Sequence, residues 1–338
     1  MLENILYNVF VLAAGLLFAG GLARSLRAAG WRAALFRTRR IRVSIYVLAA
    51  YLLIGYVDLF RFSFDDSIDA MSPIDLLFSG VPRERTYSAP FADVVLLGGD
   101  EDAAAIENQV RGVHILGTDV NGYDVAYNVV KGCSTALLLM IGTMAISFPV
   151  GLGLGILAGY FGGWIDDVVQ WLYTTIASIP WLLFVLAFLL VFGRNLFWIC
   201  LAFGLTSWVE LARLARGETL KLREMNYIRA ARAAGVSTAR ILWRHLTPNL
   251  SHVAIITFTL TASSIVLAES VLTFIGIGVQ PGGASWGRML VEAQVELVRS
   301  PPIWWVFAGA SLLGIFPLVL TLNLVGDALR DALDPRSE

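Results

Sequence analysis

The chain has 338 residues, of which 57% are hydrophobic and only 15% charged, with a formal net charge of -1 and a mean hydropathy of +0.71. That balance excludes an ordinary soluble domain and describes an integral membrane protein. The near-zero charge conceals a strong segregation of sign along the chain, so its distribution is more informative than its sum.

Crossing about 30 Å of hydrocarbon takes roughly 20 apolar residues in a helix. Residues 5–23 are apolar and Gly-rich, but they follow Glu3 and lack the basic start and small-residue cleavage site of a signal peptide. They are expected to form a retained extra helix, which with the Arg-rich stretch after it makes an N-terminal segment of residues 1–42. Residues 43–60 form the first firm span, and 61–133 a segment in which twelve acidic residues face five basic ones. A core over 134–325 carries the other five spans, at 134–159, 168–192, 196–213, 250–275 and 303–325, interrupted by a basic loop at 214–249. A polar tail, 326–338, closes the chain. Each span is continuous enough for its backbone to satisfy itself by helical bonds. The expected fold is therefore an all-α polytopic membrane protein with six core transmembrane helices plus the extra N-terminal one.

Seven arginines lie between residues 24 and 42, and a second basic cluster lies in 214–249. Positive charge in short loops marks the cytoplasmic side. Alternating spans put both clusters inside, with the tail, and residues 61–133 outside; the N-terminus is external if residues 5–23 span.

Cys133 and Cys200, far apart in or beside apolar runs, offer no disulfide framework or C-x-x-C motif and read as small apolar residues. Within the spans, Gly151, Gly155 and Gly159 recur on one helical face and invite close approach of a neighbouring backbone. The overlapping Gly153-x-Gly155-x-x-Ala158 is a poor dinucleotide fingerprint, since no strand precedes it. Pro180 lies inside an apolar run and predicts a kink. An ionised group at mid-bilayer costs on the order of 2.5–3.5 kcal/mol, so Glu269 and Glu210 call for an account. Glu269 lies near the external end of its span, open to interfacial water, to a partner subunit, or, with Pro180, to a pathway or gating role. Glu210 has Arg213 one turn on, which predicts a local ion pair.

The loop Asn226-Tyr-Ile-Arg-Ala-Ala-Arg-Ala-Ala-Gly235-Val-Ser-Thr-Ala-Arg240-Ile-Leu-Trp-Arg-His-Leu-Thr-Pro248-Asn249 reads as two short helices meeting at a glycine. Residues Glu218 to Ala234 are good helix formers, Gly235 suits a left-handed turn, Ser237 suits a helix cap and Pro248 a helix end. Ile228, Ala231 and Ala234 supply a small-residue face, and Ile241, Leu242 and Leu246 an apolar one. Ala231-x-x-x-Gly235-Val-Ser237-x-x-x-Ile241 also looks like a DNA-binding turn. The flanking spans tether it to the bilayer and the loop is too short for a recognition-helix core, so nucleic acid is not an expected partner.

This loop resembles the conserved cytoplasmic loop of ABC-transporter permeases, with Arg229 where the family usually has Glu and Thr247 where it has Leu. Further stretches narrow the resemblance to the dipeptide and oligopeptide branch of the binding-protein-dependent importers. They are Leu116-Gly-Thr-Asp-Val-Asn-Gly-Tyr-Asp124, in which Tyr123 replaces the usual Arg, Gly159-Tyr-Phe-Gly-Gly-Trp-Ile-Asp166, and Ile179-Pro180. Glu269-Ser-Val-Leu-Thr-Phe-Ile-Gly-Ile-Gly-Val-Gln280 with Ser285-Trp-Gly287, and Asn323-Leu-Val-Gly-Asp-Ala-Leu-Arg-Asp-Ala-Leu-Asp-Pro335, complete the set. Residues 1–113 have no such support.

The resemblance implies an import permease, for peptides or for other small solutes that this branch also carries. Its partners would be a second permease chain, one or two ABC ATPase subunits, an external substrate-binding protein and membrane lipid. The coupling residues it implies are Arg229, Ala230, Ala231, Gly235, Ser237, Ile241, His245 and Pro248. No cofactor or metal is expected on this chain; ATP and Mg would sit on the ATPase.

Catalysis finds little support: His114, His245 and His252 are scattered and no H-E-x-x-H occurs. Nor is there a G-x-x-x-x-G-K-[ST] phosphate loop, so a pump built on this chain borrows its ATPase. The competing readings are a membrane scaffold or receptor with an external ligand-binding segment, and a membrane-embedded enzyme using Glu269 or Asp327.

Overall fold

A computed structural model describes residues 4–9, 11–13, 39–62, 70–93, 95–96, 109–279, 284–300 and 302–333. Their regular structure is helical, with isolated bridges at Phe62–Met71, Ser88–Val95 and Thr118–Asp124. Five helices are long and apolar enough to cross a membrane: Arg39–Asp58, Val125–Phe161, Leu196–Leu222, Ser251–Phe274 and Trp305–Asp331. A sixth span results if Gly163–Ser178 and Trp181–Phe192, bent by 84°, are one broken crossing. This is an all-α polytopic membrane protein. Of the expected N-terminal helix, residues 4–9 and 11–13 are helical; residues 14–38 lie outside the described residues.

The chain divides into two compact units, one of residues 1–138 and 266–321, the other of 139–265 and 322–338. In the first unit α1 (Arg39–Val57) packs on the start of α3 (Val125–Phe161), because Gly55 lets the Cys133 carbonyl come close. Val11, Leu59 and Leu137 form a small core there. Asn8 ties the N-terminal segment to it, its side chain donating to Arg61 O at 2.7 Å and accepting from Arg61 N at 2.8 Å. The short helix α2 (Pro73–Phe78) starts on a capping box: Ser72 Oγ accepts from Asp75 N and Asp75 accepts from Ser72 N. Helix α3 begins at Val125, ahead of the expected span, because Asp124 accepts from Ala126 N at 2.6 Å and opens the helix among polar residues.

In the second unit, the expected single kinked span at 168–192 is two helices, α4 (Gly163–Ser178) and α5 (Trp181–Phe192). Pro180 has no N–H to continue the ladder and drives the residue before it out of the helical region; Ile179 is extended at φ -87, ψ 125. Helix α6 (Leu196–Leu222) runs beside α3 along the predicted glycine face. A Cβ on Gly151, Gly155 or Gly159 would lie 2.9, 2.6 or 2.7 Å from the carbonyl oxygens of Trp208, Ala212 and Arg216 respectively. Only glycine permits that contact, repeated once per turn on both helices. Cys200 is buried here and Cys133 in the first unit, and neither is in a disulfide.

The expected pair of Glu210 with Arg213 does not form. Arg213 instead lies over the Tyr173 ring, 5.3 Å from its centre, where a cation–π contact substitutes for the carboxylate.

Candidate functional site

The basic loop folds as a knuckle on an apolar foot. Helix α6 stops at Leu222, earlier than the run of helix formers suggests, and α7 spans Asn226–Ala233. Between them Met225 is extended, and Arg232 Nη2 reaches back to Arg223 O at 3.0 Å to satisfy a carbonyl at the break. The turn after α7 closes by two bonds, Val236 N to Ala231 O and Gly235 N to Arg232 O, both 3.0 Å. This is a Schellman ending, which places Gly235 at φ +75, where an L side chain is strained although no atom crowds the site.

The second helix is α8 (Thr238–Ile241). Ser237 holds the position before it but makes no side-chain capping bond, correcting the expected cap. Pro248 does not end this helix either. Residues Leu242–Leu246 widen into a π turn, with Thr247 N bonded to Leu242 O, and α9 (Thr247–Asn249) follows with Pro248 in its first turn. A missing N–H costs nothing there.

Ile228, Ile241, Leu246 and Leu250 are fully or almost fully buried against Ile156 of α3, with Ala231, Val236 and Leu242 at the edge. Ile228 and Ala231 thus serve the foot rather than an outer face. Ala230, Ala233, Ala234 and Gly235 are exposed, as are Arg229, Arg232, Arg240, Arg244 and Trp243. His245 is half-buried, and its carbonyl accepts from Asn249 Nδ2 at 2.5 Å. Arg229 pairs with Glu224 at 2.7 Å in the open, so its charge is barely neutralised by a surface pair. Of the residues singled out in the loop, the structure therefore sorts Ile241 and Ala231 to the support, and Arg229, Ala230, Gly235, Ser237 and Pro248 to the surface.

The first unit holds its charges differently. Lys131 Nζ donates to Asp75 Oδ1 at 2.6 Å, Ser72 Oγ at 2.8 Å and Asp58 Oδ1 at 2.9 Å, using all three of its protons. Asp58 is 1% exposed. Burial alone would raise the Asp75 carboxyl, but Lys131, the Ser72 N–H and the Tyr127 hydroxyl hold it down at about 2. Buried His114 lies between Asp124, 3.0 Å from Nδ1, and Glu84, 3.2 Å from Nε2. None of these long-range partnerships is visible in the sequence.

Glu269, in α10 (Ser251–Phe274), is 5% exposed and accepts hydroxyls from Thr273 at 2.8 Å and Ser285 at 2.6 Å. It is bound to its own chain rather than open to interfacial water. Ser285 precedes α11 (Trp286–Glu296), whose first residue wedges an indole against Gly132 and Gly314 and donates to Val129 O at 2.9 Å. Pro180, the other residue considered for gating, marks the break between α4 and α5. Among the described residues no three His, Cys, Asp or Glu side chains converge to hold a metal.

The described residues form a multi-pass helical chain with a basic loop folded as a knuckle on an apolar foot. Residues 151–338 match the family described as "Binding-protein-dependent transport system inner membrane component", and the chain belongs to that family: it is a multi-pass inner-membrane permease of the ABC peptide-importer type, a transport subunit whose ATPase is on separate chains. The oligopeptide transport system permease protein OppC of Haemophilus influenzae is 35% identical over 233 residues, covering 67% of this chain and 72% of that protein. OppC of Escherichia coli is 36% identical over 223 residues, covering 66% and 72%. The glutathione transport system permease protein GsiD of Pectobacterium atrosepticum is 34% identical over 223 residues, covering 66% and 73%. A chain from inward-facing structures of the MetNI methionine ABC transporter aligns over 60% of this chain and 94% of its own at 17% identity, with a TM-score of 0.46, too distant a likeness to bear on function.

Proposed function

We propose that this permease imports peptides, pairing with a second permease chain and taking its drive from one or two ABC ATPase subunits through the knuckle at 226–249. The observation that carries the coupling role is the knuckle's division of labour. Its apolar foot is locked to α3 through Ile156, while its outer surface offers Ala230, Ala233 and Ala234 for close approach and four exposed arginines for acids around a cleft. Such a part transmits force only if its contacts differ between the two states of the ATPase. ATP and Mg would bind the ATPase, and an external binding protein would deliver cargo. The peptide assignment is supported by the relatives named for oligopeptides and glutathione.

The test is to purify the tagged chain from native membranes in mild detergent and identify stoichiometric companions by mass spectrometry. A second permease with ABC ATPases is the expected result; recovery of the chain alone from gently solubilised, active membranes would overturn the reading. Reconstituted with those companions and the binding protein, the assembly should accumulate trialanine only with ATP.

A further inference from the structure

A polar cleft of about 180 Å³ opens in the first unit between residues 119–131 and the start of α11, on the side that the arginine distribution places outside. It has room for about six waters at their liquid volume of ~30 Å³ each. Its walls include Tyr123, Tyr127 and Met289. Tyr123 is fixed on one side by the Arg83 guanidinium, 4.2 Å from its ring centre, and on another by stacking on Tyr127.

Most of the cleft's polar groups are already engaged. Asp119 accepts from Asn121 N, Tyr123 N and Asn128 Nδ2. Lys131 spends its three protons on Asp58, Ser72 and Asp75, and the Tyr127 and Ser285 hydroxyls donate to Asp75 and Glu269. Among the groups left over, two are charged and adjacent. Arg288 gives only its Nε to Glu292 Oε1, at 2.9 Å. Its two terminal nitrogens and the second Glu292 oxygen have no partner among the described residues, and both side chains are only partly exposed, at 31% and 21%. A guanidinium edge with both nitrogens free is matched by a carboxylate, which it binds bidentately. A carboxylate oxygen beside it is matched by an N–H donor. The C-terminal residue of a peptide presents both, an α-carboxylate and, on the same residue, an amide N–H.

We propose that this cleft binds the free C-terminal residue of a peptide, its carboxylate held by the terminal nitrogens of Arg288, its amide N–H by Glu292, and its side chain against Tyr123 and Met289. The proposal rests on the peptide reading above and adds an external contact for cargo on the permease itself. Its selectivity is for the free C-terminus, not for sequence, because most polar groups of the remaining walls are engaged with neighbours of their own chain.

The test uses the co-purified assembly in lipid nanodiscs, titrated by calorimetry with trialanine and with trialanine amide, which differs only at the C-terminus. Trialanine should bind at least about tenfold more tightly than the amide, the loss expected for one charge-assisted contact. Arg288→Gln should abolish that preference, and Glu292→Gln should weaken trialanine several-fold while keeping it. Arg288→Lys, which retains charge without the fork, should retain only part of the preference and guards against misreading a folding defect. Equal binding of the two peptides, an undiminished preference in Arg288→Gln, or no trialanine binding would overturn the site. Uptake separates this from failure of the peptide reading: an assembly that carries other cargo accumulates no trialanine, whereas an error confined to the cleft leaves trialanine uptake intact and indifferent to Arg288→Gln.

Discussion

The knuckle at 226–249 and the polar cluster around Lys131 are both rich in charge, and they use it in opposite ways. Around Lys131 the cation is enclosed, each of its protons has an acceptor, and the acceptors are bonded in turn by Ser72 and Tyr127. On the knuckle, four arginines are exposed and Glu224 meets Arg229 in solvent. Buried, paired charge holds a chain to itself; exposed charge is available to another molecule. The contrast yields a graded set of tests.

The largest effect should follow Lys131→Met. It leaves Asp58 buried without its cation, at a cost of about 3–5 kcal/mol, and the purified protein should show a lowered midpoint of thermal unfolding in detergent; an unchanged midpoint would remove the cluster from the scaffold. Glu269→Leu comes next, stranding the Ser285 and Thr273 hydroxyls at about 2–3 kcal/mol, whereas Glu269→Gln keeps an acceptor and should cost less than about 1 kcal/mol. Proteolysis of the segment between α10 and α11 would report the difference.

On the knuckle the order of stability and function reverses. Gly235→Val should cost about 1–2 kcal/mol locally, the penalty of a left-handed residue. It should nevertheless impair transport at normal membrane levels, while Gly235→Asn, which tolerates that conformation, should transport nearly as wild type. Normal uptake by the Val variant would count against a coupling role. Arg229→Gln should change stability by less than about 1 kcal/mol yet weaken ATPase association in a salt-dependent way.

The finest test is pH. Because Asp75 is held at about 2, below its unfolded value, its contribution is fully present above about pH 4 and is lost as pH falls toward 2. Asp75→Asn should flatten the stability curve in that window only.

Some of this was legible in the sequence because it is local. Gly235 announces its turn by the helix formers before it, Pro180 its break by the apolar run it interrupts, and the Gly151, Gly155 and Gly159 spacing its close-packed face. The cluster at Lys131 joins residues 56 and 73 positions apart, and Trp286 bonds Val129 across 157. No periodicity encodes such pairings. Lys131 lay outside the expected span because apolar content marks where lipid begins, not where a helix does. Ser237 and Pro248 mislead because residue type permits a cap or an ending without requiring it: Ser237 takes the cap position but makes no capping bond, and the π turn at 242–246 carries the backbone on past Pro248.

The glycine contacts between α3 and α6 have a mechanical consequence. Two helices whose backbones mesh at three successive turns cannot slide or roll past each other without separating, so they bend and tilt as one double-thickness strut. The knuckle is fastened to both members, to α6 through the chain and to α3 through Ile156. A displacement applied at Gly235 would therefore reach two meshed helices at once rather than one.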